Sequence, residues 1–385
     1  MPNLTSQELV DLVRSVFPRL PGDSILSLLV DVPRHTSLDN PAWRHRRAMA
    51  FEWLAALYDK RLEIPLDDIR LYAYADVGSN NADLPPDAYL LGTLPPEDAS
   101  TLGQCGLRVP FEDVLAESQI IIAPTEYSTT APLKVAAKKY GFRAATMPGF
   151  SAAMIPALRI DYGEVARRVE DMKERLDKAS GADILFRVDN NLEYRMHFDL
   201  RNRTAHASTG RFPDPATAGN LPSGEAYIVP YEGEQGPASR TRGELPVEFL
   251  GEVLVFAVEA NRAQAVRPAA TLGPAWKDEA EHLRREPAYG NMAELGFGVL
   301  GDFGVSPVGE ILLDEKLGLH VAFGRSDHFG GRVGPADFSS PAEVVHLDRI
   351  YIPATQPRVS VFSVVFRYPD GTEEVVMTEG RYRVF

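Results

Sequence analysis

The chain has 385 residues and is short of several things, and each shortage closes off a class of function. It has one cysteine, Cys105, so no internal disulfide can form and a disulfide scaffold is excluded. A reducing, cytoplasmic setting is expected. Positive charge is scarce: 40 Lys and Arg stand against 54 Asp and Glu, a formal net charge of -14. Nucleic acid and anionic membranes both need a basic footprint, so neither is expected as a partner. No apolar run is long enough to span a bilayer. The opening MPNLTSQELVDLVRSVF lacks a basic stretch followed by an apolar core, so it does not read as a signal peptide. Leu4, Leu9, Leu12, Val13 and Val16 fall there at helical spacing. Glycine-rich phosphate loops and internal repeats are absent. Histidine is sparse too, with eight residues in all, yet His320, His328 and His346 crowd into one short region beside Asp327 and Asp348.

What is present suffices for two domains with sizeable cores, since 44% of the residues are hydrophobic. Residues 1–180 alternate strand-like runs (SILSLLVDV, IRLYAYADV, SQIIIAP, RAATMPG) with helical ones (Ala42–Lys60, Ala131–Gly141, Tyr162–Gly181). That alternation predicts an α/β domain with a mainly parallel sheet. Beyond residue 180 glycine and proline become frequent and the apolar runs shorten. Residues 181–385 therefore read as a β-rich α+β domain, with an exposed loop over Tyr231–Pro246.

The candidate chemistry lies in this second half. In VVHLDRIYIP, His346 and Asp348 are two apart and share one face of a strand. LHVAFG is strand-like with His320 near its head. If the two strands are neighbours, two imidazoles and a carboxylate converge, which is a metal-ligand set. Two more stretches add carboxylates in apolar settings: Glu225 after the turn of NLPSGEAYIVP, and Glu294 inside NMAELGFG. A carboxylate facing an apolar interior is costly unless paired or metal-bound. Together the five would carry a charge of about -3, which two divalent cations bridged by a carboxylate and a hydroxide nearly balance.

The order GNLPSGEAYIVP, NMAELGFG, LLDEKLGLHVAFG, VHLD resembles the thermophilic aminopeptidase (aminopeptidase T) family of metallopeptidases. The resemblance implies Glu225, Glu294, His320, His346 and Asp348 as ligands of a dinuclear zinc, cobalt or manganese centre, with Glu294 bridging and helping to deprotonate the water. It also implies a metal-activated water acting on a peptide or small-molecule amide, and a homodimer. The chain departs from the pattern where the peptidases carry a tyrosine after the third ligand. Asp327 stands there, with His328 beside it as a substitute proton donor. Lys316 stands where many of the peptidases have asparagine. The family also includes relatives in which two histidines and an aspartate hold one Fe(II) and open a dihydroxypyridine ring with dioxygen. That use, or a non-catalytic role in a biosynthetic pathway, are the alternatives.

Overall fold

Unbroken apolar runs become the inner strands of the first sheet. Ile25–Val32 is buried along nearly its whole length, as befits a strand covered on both faces. In this computed structural model, which describes residues 3–249, 251–269 and 274–385, the chain falls into two units. The first comprises Met1–Ala166, Ser208–Ser223 and Val308–Leu313, and the second Arg167–Ala207, Gly224–Pro307 and Asp314–Phe385. The change of sequence texture near residue 180 falls inside the second unit.

The first unit is built on a seven-stranded sheet. Its order is Thr217–Asn220, Arg143–Thr146, Ile120–Ala123, Ile25–Val32, Asp68–Ala75, Asp87–Leu91, Gly106–Pro110. The first five run parallel, and Asp87–Leu91 pairs antiparallel with both its neighbours, so the sheet is mixed. Its helices carry ordinary stop signals. Ser6–Val16 starts in a capping box between Thr5 and Glu8. Pro41–Asp59 starts at Asn40, whose side chain accepts from the Trp43 N–H, with proline in the first turn. Thr130–Tyr140 ends at Gly141, whose φ of 84° is left-handed. Among the charged side chains buried in this unit, Arg143, 1% exposed, pairs with Asp23 at 2.7 Å and donates to the carbonyls of Pro18 and Phe212.

The second unit has two sheets. Eight strands run in the order Arg262–Pro268, Glu252–Glu259, Arg242–Phe249, Leu192–Asp199, Gly181–Val188, Val359–Arg367, Glu373–Thr378, Arg381–Tyr382. Five run in the order His346–Ile350, Leu319–Gly324, Met292–Gly298, Glu225–Ile228, His206–Ser208. Aromatic rings join the two sheets: Phe297 packs on Phe366 at 5.5 Å and Phe323 on Phe256 at 5.1 Å. The loop expected over Tyr231–Pro246 is shorter than its composition suggests. Tyr231 is fully buried, and a strand begins at Arg242. Among the described residues no helix is long and apolar enough to cross a membrane.

Candidate metal centre

Four antiparallel strands carry the five residues singled out above. Glu225 faces Gly298 across the sheet, Gly296 faces His320, and Ala322 lies opposite both Glu294 and Asp348. Residues opposite one another, or two apart on a strand, share a face. So Glu225, Glu294, His320, His346 and Asp348 project from one side, and Tyr227 with them. Leu295, Phe297, Val321 and Phe323 project from the other, into the core. A register shift between Met292 and Glu294 marks a bulge beside the central glutamate, a device that re-aims a side chain. Glycine and alanine opposite the ligands leave space for them. A Cβ on Gly296 would lie 2.0 Å from His320 Nε2.

Glu294 stands at the centre. Its Oε1 lies 3.2 Å from His320 Nε2 and its Oε2 3.3 Å from His346 Nε2. Asp348 Oδ1 is 3.7 Å from His346 Nε2, and Glu225 Oε2 is 3.6 Å from His320 Nε2. Both imidazoles are oriented from behind by main-chain carbonyls. His346 Nδ1 donates to Arg325 O at 2.7 Å and His320 Nδ1 to Gly318 O at 3.3 Å. A carbonyl only accepts, so Nδ1 keeps its hydrogen and Nε2 is turned toward the carboxylates, the arrangement that metal-ligating histidines use.

The charges hold one another. Burial alone would raise the Glu294 carboxyl, but His320 and His346 bring it well below the usual range. Burial works against charge on the imidazoles and is overruled by the carboxylates. Glu294, Glu225 and Asp348 raise His320 to about 9, and Asp348 with Glu294 raise His346 to about 11. Two carboxylate oxygens are left over: Glu225 Oε2 and Asp348 Oδ1 are buried without a hydrogen-bond partner. Orphaned buried acceptors are costly. A cation would satisfy them. Glu294, His346 and Asp348 each offer a ligand atom, all within 4.8 Å of one another. Imidazole and carboxylate donors at this separation fit a divalent first-row metal.

Lys316 adds a charge that its place in DEK did not foretell. Its side chain is 2% exposed, and its Nζ lies 2.6 Å from Glu225 Oε1 and in close contact with Glu315. The two glutamates hold its ammonium charged, against the effect of burial. Tyr227 was also missed, although its position two residues after Glu225 puts it on the same face by strand periodicity alone. Burial, then the charges of Glu294 and Glu225, keep its phenol protonated.

The rim is aromatic. Phe329 lies 5.5 Å from the His346 ring and 4.9 Å from Tyr227, and His206 stacks on Tyr227 at 5.1 Å. His328 meets His346 edge to face at 5.1 Å, and burial with the His346 charge pushes it down to about 4. Asp327 is not brought into the carboxylate cluster. It pairs with Arg325 at 2.5 Å, which holds its carboxyl below the usual range and makes it a poor proton donor. The turn carrying these residues is pinned by Glu232, which accepts from Ser326 Oγ at 2.6 Å and Asn291 Nδ2 at 2.8 Å.

No family model matches the chain, and no curated protein does. Solved structures do. A 2,5-dihydroxypyridine dioxygenase from Pseudomonas putida KT2440 superposes over 98% of this chain and 96% of its own, with a TM-score of 0.57 at 14% identity. Wild-type AmpT from Thermus thermophilus, an aminopeptidase, superposes over 98% and 99%, with a TM-score of 0.55 at 13% identity. At such identities the likeness is one of fold alone, and what the chain shares with both is an architecture that enzymes of two different chemistries are built on.

Proposed function

We propose that this chain is a metal-dependent enzyme that hydrolyses a peptide or small amide through a metal-activated water. The observation that carries the reading is the Glu294 carboxylate, divided between two imidazoles whose Nδ1 atoms are fixed by main-chain carbonyls, beside unpartnered oxygens of Asp348 and Glu225. A divalent cation held by Glu294, His346 and Asp348, with His320 beside Glu294, would polarise the scissile carbonyl and bring the pKa of a bound water to about 7. With such a cation bound, Glu294 would stand beside that water, placed to accept its proton and return it to the leaving nitrogen. The Tyr227 hydroxyl, kept protonated, donates to the oxygen on which charge develops. His328 is neutral at physiological pH and offers a hydrogen bond at the rim rather than a proton.

The test is Glu294→Gln assayed on a library of unblocked peptides and aminoacyl anilides. A loss of about 100-fold or more in kcat/KM is expected, the usual weight of a general base. Unchanged turnover would remove Glu294 from the chemistry and the hydrolase reading with it.

A second reading is supported by the rim. Phe329, Tyr227, His206 and His328 would suit a planar substrate laid beside His346, and His320, His346 and Asp348 are a two-histidine, one-carboxylate set of the kind that holds Fe(II) in oxygenases. Oxygen uptake by the Fe(II)-loaded chain with 2,5-dihydroxypyridine, and none of the peptide hydrolysis, would select this reading.

A further inference from the structure

On charge alone, three carboxylates and two imidazoles, with a bridging hydroxide, would balance two divalent cations, and Glu294 reaches in two directions as a bridging ligand would. The two ends of the cluster are not alike, however. At the His346 end, Asp348 Oδ1 is unpartnered and ligand atoms of Glu294, His346 and Asp348 draw within 4.8 Å of one another. Among the described residues this is the one trio that gathers so closely. At the Glu225 end a cation is already present: the ammonium of Lys316, 2.6 Å from Glu225 Oε1 and touching Glu315.

That ammonium cannot readily step aside. Lys316 lies in the short turn Glu315–Leu317, just before the strand that carries His320. Its backbone is clamped against Gly298, where an added Cβ would come within 2.2 Å of the Lys316 carbonyl carbon. Withdrawing the side chain would leave two buried carboxylates, Glu225 and Glu315, without a counter-charge, a strongly destabilising change. A divalent ion on the remaining oxygen of Glu225 would sit beside a fixed positive charge among buried groups, where like charges repel far more than in solvent.

We infer that Lys316 stands in the place of a second metal ion, so that the chain holds one divalent cation, at Glu294, His346 and Asp348. Glu225 is then an ion-pair partner rather than a metal ligand, and the centre is mononuclear by construction. The inference rests on the metal centre proposed above, and stoichiometry separates the failure of one from the failure of the other.

Metal-depleted full-length chain is dialysed against excess Zn²⁺, Mn²⁺ or, without air, Fe²⁺. Bound metal per chain is then counted by mass spectrometry for wild type, Lys316→Met and Glu225→Gln. One ion is expected on wild type, two on Lys316→Met, where Glu225 is released, and one on Glu225→Gln with little change in affinity. Two ions on wild type overturn the inference while leaving the metal centre in place, and so does a single ion on a folded Lys316→Met. No ion on wild type sinks the metal centre and the inference together. If Lys316→Met does not fold, the other two proteins still decide. A loss of about tenfold or more in the affinity of Glu225→Gln for its single ion, the scale of a lost metal-site interaction, makes Glu225 a ligand and refutes the inference.

Discussion

At the scale of single residues, the centre is a set of charges that need one another, and its pH dependence follows. In the metal-free chain His320 is raised from the ordinary 6.5 to about 9. The folded state therefore holds its proton more tightly than the unfolded state, and the stabilisation is complete below about pH 6.5. It fades as pH rises through the folded value. The melting temperature of metal-free protein should thus fall between pH 6.5 and 9. Metal binding runs the other way, because the ligating His346 must lose the proton on Nε2, so affinity should keep climbing as pH rises toward its value of about 11. Melting curves with and without Zn²⁺ across these pH values check both slopes. A metal-free melting temperature that rises with pH would mean that the imidazoles are not paired as described. The individual ligand candidates were legible in the sequence because each stood in an apolar run or at strand spacing from another. Lys316 was not, because what it does depends on Glu225, which is 91 residues away. Asp327 stays outside the cluster because its neighbour two residues back, Arg325, claims it.

Among strands and turns, the feature that positions the site is the small residues opposite its ligands. Gly296 pairs with His320, and its missing side chain is the space the imidazole occupies. Gly296→Ala should push His320 away from Glu294 and weaken metal binding by about 10- to 100-fold, comparable to the loss of an outer-shell partner. Overpacking should also lower stability by about 1–3 kcal/mol. Calorimetric titration with Zn²⁺, alongside a melt, measures both effects, and wild-type affinity in a folded variant would show that His320 needs no such space. The inner strands were visible in the sequence because burial on both faces writes an unbroken apolar run. The short strand Asp87–Leu91 and the edge strand Gly106–Pro110 beside it were not, since Leu107 and its neighbours are largely exposed and no period of two survives. The site strands were visible for the opposite reason. They alternate, with the polar ligands on one face and the apolar core on the other.

For the whole molecule, the lesson is in the connectivity. The texture of the sequence invites a cut near residue 180, but the Thr217–Asn220 strand completes the first sheet by pairing with Arg143–Thr146. Phe212, from the same later segment, gives its carbonyl to the buried Arg143. Nothing in local composition marks these residues as belonging with the first unit, because the pairing is made across an intervening helix and three strands, Tyr162–Lys178 and then Gly181–Val188, Leu192–Asp199 and His206–Ser208. A fragment of residues 1–180 should therefore lack a cooperative melt, whereas the full chain should show one. Circular dichroism on heating measures this, and a sharp transition in the fragment would mean that the added strand is dispensable.

The same late strand has a consequence for the order in which the protein is made. At roughly 5–20 residues per second of synthesis, the first 166 residues are available on the order of ten seconds before Thr217–Asn220 emerges in the slower case. Through that interval the Arg143–Thr146 strand is an open edge, with unsatisfied backbone groups able to pair with another nascent chain. The short segment that returns to the first unit from the middle of the second thus works as a seal applied late in translation. The vulnerable period for this protein is set by elongation rate, and slowing the ribosome between residues 166 and 220 would lengthen it.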